Sequence, residues 1–183
     1  MLIIALSIPQ SAISDGHSLK VLGWGAKSGP LKSFGVNSEA ALRSAVAEIN
    51  AAGGVRMGDG SMAPMEVIGY EDSACKKDEA IAILRKTAST TDAIVGMGTT
   101  CSGVCQAMFG VLQKKRGDTS DSGVQMPILA DTCIRPGLAK ISDWSFRNVP
   151  NEITMYDELF KWIRTAYPNV KTFTGGGSET DQG

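Results

Sequence analysis

Hydrophobic and polar positions alternate along the chain in two patterns, short apolar runs and longer segments with helical spacing. Apolar runs predict buried strands at residues 19–24, 65–70, 93–97, 126–131, 144–149 and 170–174. Apolar positions that recur every three or four residues predict helices around residues 42–49, 80–88, 104–112 and 153–163. Because strands and helices alternate, the pattern predicts a three-layer α/β fold, a parallel sheet with helices on both faces.

The helix boundaries are predicted from capping residues and glycines. Asn37 or Ser38 is a suitable N-cap for the first helix, and residues 53–54, both glycine, are expected to end it. Asp78 is expected to cap the second helix. Residues 57–64 are polar and contain glycine, which predicts a loop.

The first residues predict an export signal. Residues 1–8 form a short apolar run, and the small residues Ala12 and Ser14 fit a cleavage site after Ser14. We therefore expect residues 1–14 to be the remainder of a signal peptide. A first buried strand is the alternative, because the positive segment that normally precedes the apolar run is missing.

Composition excludes several classes of function. The chain has 183 residues and a net charge of -1, which suits one domain, or one domain with part of another, and gives no electrostatic reason to bind nucleic acid. No apolar run reaches the ~18–20 residues of a membrane helix. His17 is the only histidine, which argues against a histidine-based metal site and a catalytic triad.

Four cysteines occur at positions 75, 101, 105 and 133, and no two of them form a CxxC pair. The spacing therefore argues against zinc-ribbon and thioredoxin-like sites. An even number of cysteines suits two disulfides in an exported protein and reduced thiols in a protein that is not exported.

The candidate chemistry lies where predicted strands end. Residues 98–103 (GTTCSG) follow a strand and open a helix, so free N–H groups and a hydroxyl from Ser102 or Thr100 can meet a bound anion. Simple helix capping is the alternative. Phe34 can form the floor of a ligand pocket or plug the loop, and residues 131–132 can offer a hydroxyl and backbone groups.

Nucleotide binding and nucleophilic catalysis are not supported. The glycines at 23, 25 and 29 miss the GxGxxG spacing, and GxxxxGK[ST] does not occur. Cys101 has no histidine partner that could activate it as a nucleophile. We therefore predict no cofactor and no enzymatic activity.

Taken in order, these segments resemble the type I periplasmic binding proteins, in particular the leucine/isoleucine/valine-binding family that serves ABC importers. The resemblance covers residues 19–170. The motifs that carry it are residues 28–30 with 34–35, 45–54, 70–72 with Cys75, Gly96 with 101–102, 130–132 and 146–148.

The resemblance implies roles for individual residues. Cys75 and Cys101 match the family's disulfide, and Ser102 matches a serine that binds the ligand's α-carboxylate. Ala130 and Thr132 match positions that hold the α-amino and carboxylate groups, and Phe34 matches an aromatic contact. The candidate ligand-binding residues are Phe34, Thr100, Ser102, Ala130, Asp131 and Thr132.

Some features depart from the family pattern. Cys105 and Cys133 lie outside it and are candidates for a second disulfide if their geometry permits one. Asp131 places a negative charge beside the expected site, where it either favours an amine or points away.

The resemblance also implies a domain plan and a function. Residues 15–145 would form an N-terminal ligand-binding lobe without its return segment, residues 146–150 a hinge crossing, and residues 151–183 the start of a second lobe. We expect an N-terminal fragment of a periplasmic substrate-binding protein that delivers a small amino acid, or a related carboxylate or amide, to an ABC permease. An extracellular ligand-sensing domain of a receptor or regulator is the alternative.

Overall fold

A computed structural model describes residues 18–175, so the predicted signal peptide lies outside the described residues. The elements follow in the order β1 (Leu19–Gly25), α1 (Lys32–Ala51), β2 (Val55–Arg56), β3 (Met62–Ala63), β4 (Met65–Asp72), α2 (Lys77–Thr90), β5 (Val95–Met97), α3 (Ser102–Gly110), β6 (Ile128–Ala130), a short 3-10 helix (Leu138–Lys140), β7 (Ser145–Arg147) and α4 (Glu152–Ala166).

Five of the strands form one sheet in the order β4-β1-β5-β6-β7, and every neighbouring pair is parallel. The sheet confirms the predicted α/β architecture. Its parallel order brings the carboxyl ends of all five strands to one edge, where ligands bind in folds of this kind.

Helices cover the sheet from both sides because neighbouring residues of β1 face opposite ways. Val21 packs with Leu42 and Val46 of α1 on one face. Trp24 lies on the other face, where α2 and α3 complete the larger cluster and Trp24 is fully buried. This second cluster also contains the buried side chains of Leu84, Val104, Met108, Phe109 and Ile128.

Two predicted helix starts are wrong. Helix α1 begins at Lys32, before Asn37 and Ser38, because the turn at Gly29 leads directly into it through a hydrogen bond from Lys32 N–H to the Gly29 carbonyl at 3.2 Å. Helix α2 begins at Lys77, which places Asp78 in the first turn, where its charge is favourable, rather than at the cap.

The strand prediction also fails in two places. Residues 57–64, expected to form a loop, contain strand β3, which pairs with β2 in a short antiparallel hairpin. Residues 170–174, expected to form a strand, are exposed and belong to none of the strands in the described part of the chain. An apolar run becomes a strand only when a neighbouring strand accepts its hydrogen bonds.

The segment after β6 continues the sheet into the residues expected to form the hinge crossing. Strand β7 ends at Arg147 and pairs with β6, so it includes the first two residues of the range 146–150. Helix α4 follows directly, with Asn151 accepting the Thr154 N–H as its N-cap, and none of its residues is buried. Within residues 18–175, no helix is both long and apolar enough to cross a membrane.

Candidate functional site

A cavity of about 650 Å³ opens at the carboxyl edge of the sheet. The loops that follow β1, β4, β5 and β6 form its walls, and helix α4 contributes its first residue. The lining residues are Ala26, Ser28, Pro30, Leu31, Phe34, Ala74, Cys75, Lys77, Thr100, Cys101, Ser102, Gly103, Val104, Thr132, Ile134, Arg135 and Glu152. The cavity brings together four of the six predicted site residues, namely Phe34, Thr100, Ser102 and Thr132.

Ser102 is the first residue of α3 and faces the cavity with a proton to donate. Its Oγ accepts the backbone N–H groups of Ile134 and Arg135, both at 3.2 Å. A hydroxyl has two lone pairs and one proton, so these two bonds occupy its acceptor capacity. The Ser102 proton is thus free for an anionic group at the N-terminus of α3, where the helix dipole also favours negative charge.

The two threonines of the cavity have opposite hydrogen-bonding characters. Thr100 Oγ1 accepts the Ala26 N–H at 3.0 Å, which leaves its proton to donate. Thr132 Oγ1 lies 3.0 Å from the Thr100 carbonyl and 3.4 Å from the Thr99 carbonyl, so it donates its proton within the protein. The cavity therefore has two hydroxyl donors, Ser102 and Thr100, and one hydroxyl acceptor, Thr132.

Phe34 lies in the first turn of α1, lines the cavity and is half exposed. The position depends on Gly35, because a Cβ there would lie 2.2 Å from the carbonyl oxygen of Ala26. Close contact between α1 and the end of β1 thus sets the place of the aromatic ring. The open half of the ring offers an apolar surface to a ligand side chain.

Ala130 and Asp131 lie outside the cavity lining. Ala130 is fully buried, and its carbonyl accepts the Asn148 N–H at 3.4 Å, which occupies one of the two lone pairs of that oxygen. Asp131 is 9% exposed, and its carboxylate lies 3.3 Å from the Thr132 hydroxyl. Asp131 follows the last residue of β6 and does not line the cavity, although it directly precedes Thr132.

The charge of Asp131 acts on a buried tyrosine. Burial raises the pKa of the Tyr70 hydroxyl, and the negative charge of Asp131 raises it further. Tyr70 packs with α1 in the smaller core cluster.

All four cysteines are paired. Cys75 and Cys101 form one disulfide with a Cα–Cα distance of 5.8 Å, and both residues line the cavity. Cys105 and Cys133 form the second, with a Cα–Cα distance of 6.5 Å, and both residues are fully buried. The first bridge joins the start of α3 to the loop after β4, and the second joins the first turn of α3 to the loop after β6.

Charged residues at the cavity were not identified from the sequence. Lys77, Arg135 and Glu152 all line it. Arg135 donates to the side chain of Gln106, and Glu152 comes to the cavity because its N–H donates to the Ile134 carbonyl at 2.9 Å. The sequence could have indicated these three residues only through their positions, since each lies close to a predicted strand end or helix start. Among residues 18–175, no group of three or more His, Cys, Asp or Glu could hold a metal ion.

Comparison with known proteins places this geometry in context. No family model matches the chain. A leucine-specific-binding protein from Salmonella typhimurium is 36% identical over 85 residues, which are 46% of this chain and 21% of that protein. A branched-chain amino acid transporter substrate-binding protein from Streptococcus pneumoniae, solved with isoleucine, is 24% identical with a TM-score of 0.58 over 74% of this chain and 34% of that chain.

These matches confirm the resemblance to the leucine/isoleucine/valine-binding family of type I periplasmic binding proteins. An ABC transporter substrate-binding protein from Desulfitobacterium hafniense, solved with Leu, is 16% identical with a TM-score of 0.61, and covers 82% of this chain and 40% of that chain. A solute-binding protein from R. palustris, solved with 4-hydroxybenzoate, is 14% identical with a TM-score of 0.63. The match covers 82% of this chain and 37% of that chain.

The matched parts of the chain span about a fifth of the length of the leucine-specific-binding protein and 34% to 40% of these solved chains. At these sequence identities, the solved structures show that the chain shares the α/β fold of a part of each of these binding proteins. The matched proteins are binding or transport proteins, in agreement with the prediction that the chain is not an enzyme.

Proposed function

We propose that the chain is part of a substrate-binding protein of an ABC importer, and that its cavity captures an α-amino acid. The observation that carries the proposal is the arrangement of hydroxyls, with Ser102 and Thr100 as donors beside Thr132 as an acceptor. A zwitterion matches this arrangement because its carboxylate accepts hydrogen bonds and its ammonium donates them.

In this proposal, the carboxylate binds at the N-terminus of α3 and the ammonium binds near Thr132. Ser102 and Thr100 donate to the carboxylate, which the helix dipole also stabilises. Phe34 contacts the apolar side chain of the ligand. Ala130 and Asp131 make no contact with the ligand in this proposal, since neither lines the cavity.

The character of Thr132 favours an amino acid over an aromatic carboxylate. Leucine, isoleucine and 4-hydroxybenzoate appear with the solved relatives, and the last of these has no ammonium group. A benzoate has no ammonium beside its carboxylate, so it would leave the Thr132 acceptor without the donor that an α-amino acid supplies there, at a cost of roughly 1–3 kcal/mol for a desolvated polar group.

The domain plan and location form part of the same proposal. Residues from 151 onward would begin a second lobe, whose remaining residues would cover the exposed apolar side chains of α4, among them Ile153, Tyr156 and Trp162. Two disulfides support an oxidising, extracytoplasmic location. Closure of two lobes over the ligand would present the loaded protein to a membrane permease.

Calorimetric titration with leucine, isoleucine and 4-hydroxybenzoate tests the proposed function. We expect the two amino acids to bind, and Ser102→Ala to weaken leucine binding by about 10- to 100-fold, since a hydrogen bond to a charged group contributes about 1.5–3 kcal/mol. Ser61→Ala, in the distant hairpin loop, is the matched control and should leave affinity unchanged. Binding of 4-hydroxybenzoate without binding of either amino acid would contradict the proposal.

A further inference from the structure

The buried disulfide Cys105–Cys133 lies directly behind the hydroxyl groups of the cavity. Cys105 is in the first turn of α3, three residues after Ser102, and Cys133 follows Thr132. Both sulfur atoms lie against the Thr99 carbonyl, at 3.9 Å for Cys105 and 3.1 Å for Cys133. The bridge therefore lies behind the cavity wall and joins α3 to the segment that follows β6.

The residues on either side of Cys133 make the contacts that define the cavity hydroxyls. The N–H groups of Ile134 and Arg135 occupy the lone pairs of Ser102, and the hydroxyl of Thr132 donates to the Thr100 carbonyl. A shift of this short segment relative to α3 would break these contacts together. Ser102 would then have free lone pairs, and its proton would no longer be directed into the cavity.

Residues 131–137 lie outside the helices and strands of the sheet, so no ladder of backbone hydrogen bonds fixes them against α3. Loops with few regular hydrogen bonds open at lower free energy than strands and helices. A covalent bond to α3 restricts this opening. The bridge thus restrains residues 131–137 at the point where they contact α3. The hydrogen bonds of the Ser102 hydroxyl depend on that contact.

We propose that the Cys105–Cys133 disulfide is a positioning element, which holds residues 132–135 against α3 so that Ser102 directs its proton into the cavity. Its effect on ligand affinity rests on the proposed function, whereas its effect on the Ser102 contacts does not. The bridge contains no ligand-contacting atom, since neither Cys105 nor Cys133 lines the cavity.

The other disulfide provides a matched comparison. Cys75–Cys101 joins α3 to the loop after β4, and its sequence separation of 26 residues is close to the 28 of Cys105–Cys133. In the loop-entropy account, two bridges that close loops of similar length constrain the unfolded chain to a similar extent. A difference between their removals therefore reports on the native contacts.

Hydrogen exchange of the Ile134 and Arg135 amides, followed by NMR, tests the proposal without any ligand. In the variant C105A/C133A, we expect both amides to exchange at least tenfold faster relative to the Ile128 amide, which donates to Trp144 in the sheet. In C75A/C101A, this ratio should change less than twofold. Equal changes in the two variants, or none in C105A/C133A, would overturn the proposal. C105A/C133V, which retains more apolar volume, replaces the first variant if it does not fold.

A double-mutant cycle with leucine gives the second readout. We expect C105A/C133A to weaken leucine binding about tenfold in the wild type and by a clearly smaller factor in the Ser102→Ala background, because the Ser102 donor is then already absent and only the Thr132 contact remains to be lost. Additive losses would count against a positioning role. If the wild type binds no amino acid while the exchange result holds, the proposed function fails and the positioning role stands.

Discussion

The carboxylate of Asp72 accepts the backbone N–H of Lys27 at 2.8 Å, and this bond joins the carboxyl end of β4 to the loop after β1. The same oxygen accepts the Ala74 N–H at 2.8 Å. Both loops form walls of the cavity, so one side chain holds the two walls together. An exposed carboxylate at the edge of the site thus has a structural role in shaping it.

Acidification should loosen this connection. Burial tends to raise the pKa of Asp72, but hydrogen bonds from the Ser28 hydroxyl and from the Lys27, Ser28 and Ala74 amides outweigh it and hold that pKa below its ordinary value. A carboxyl with a lowered folded-state pKa stabilises the fold above its unfolded-state pKa, and this contribution is lost as the pH falls through the folded-state value.

We therefore expect Asp72→Asn to lower the free energy of unfolding by about 1 kcal/mol at neutral pH, a small value because the carboxylate is exposed to solvent. The difference from wild type should shrink as the pH falls below about 4. Melting temperatures between pH 2 and pH 7 measure this effect. Glu158→Gln on α4 removes the same charge far from the cavity, and an identical pH response in this control would refute the assignment.

Gly35 should tolerate no side chain. A Cβ at Gly35 would lie 2.2 Å from the Ala26 carbonyl oxygen, whereas a Cβ at Gly110, also helical, would have no atom within 4 Å. We expect Gly35→Ala to destabilise the protein by about 1–3 kcal/mol through overpacking. Gly110→Ala should stabilise it by up to about 1 kcal/mol. Urea denaturation of both variants decides the matter, and equal effects would contradict the close α1–β1 contact.

Thr132 and Asp131 are neighbours that should respond differently to substitution. Thr132 lines the cavity and Asp131 does not. We expect Thr132→Val to weaken leucine binding by about tenfold or more, because the ammonium loses its acceptor. Asp131→Asn should change affinity less than twofold. Calorimetric titration of both variants tests the pair, and a larger loss from Asp131→Asn would place the carboxylate in the site after all.

Removal of the cavity-lining disulfide should have a large effect on stability. The Cys75–Cys101 bridge closes a loop with a sequence separation of 26 residues. The loop-entropy model gives about 3–4 kcal/mol for a crosslink of this length. We expect C75A/C101A to lose about this much in urea denaturation under oxidising conditions. Under a thiol reductant that opens both bridges, the wild type should become less stable than the variant is when oxidised.

Much of the fold follows from local sequence patterns. Apolar runs and helical spacing located β1, β4 and the stripes of α1 to α4, because each element must bury one face whatever its neighbours are. The helix starts at Lys32 and Lys77 were missed because neither helix has a capping side chain. Backbone hydrogen bonds to the Gly29 and Ser73 carbonyls form the turns that lead into them. Residues 170–174 have strand-like composition, but strand formation requires a hydrogen-bonding neighbour.

The sequence by itself determined the alternation of the main strands and helices, through periodicity. Motifs at strand ends and the family resemblance they carry indicated the residues Phe34, Thr100, Ser102 and Thr132, which meet at the cavity. Only the tertiary structure decided that Asp131 and Ala130 lie behind the wall and that Lys77, Arg135 and Glu152 reach the cavity. It also decided which hydroxyls donate and which accept. These properties depend on distances between segments far apart in the chain, and no local pattern encodes them.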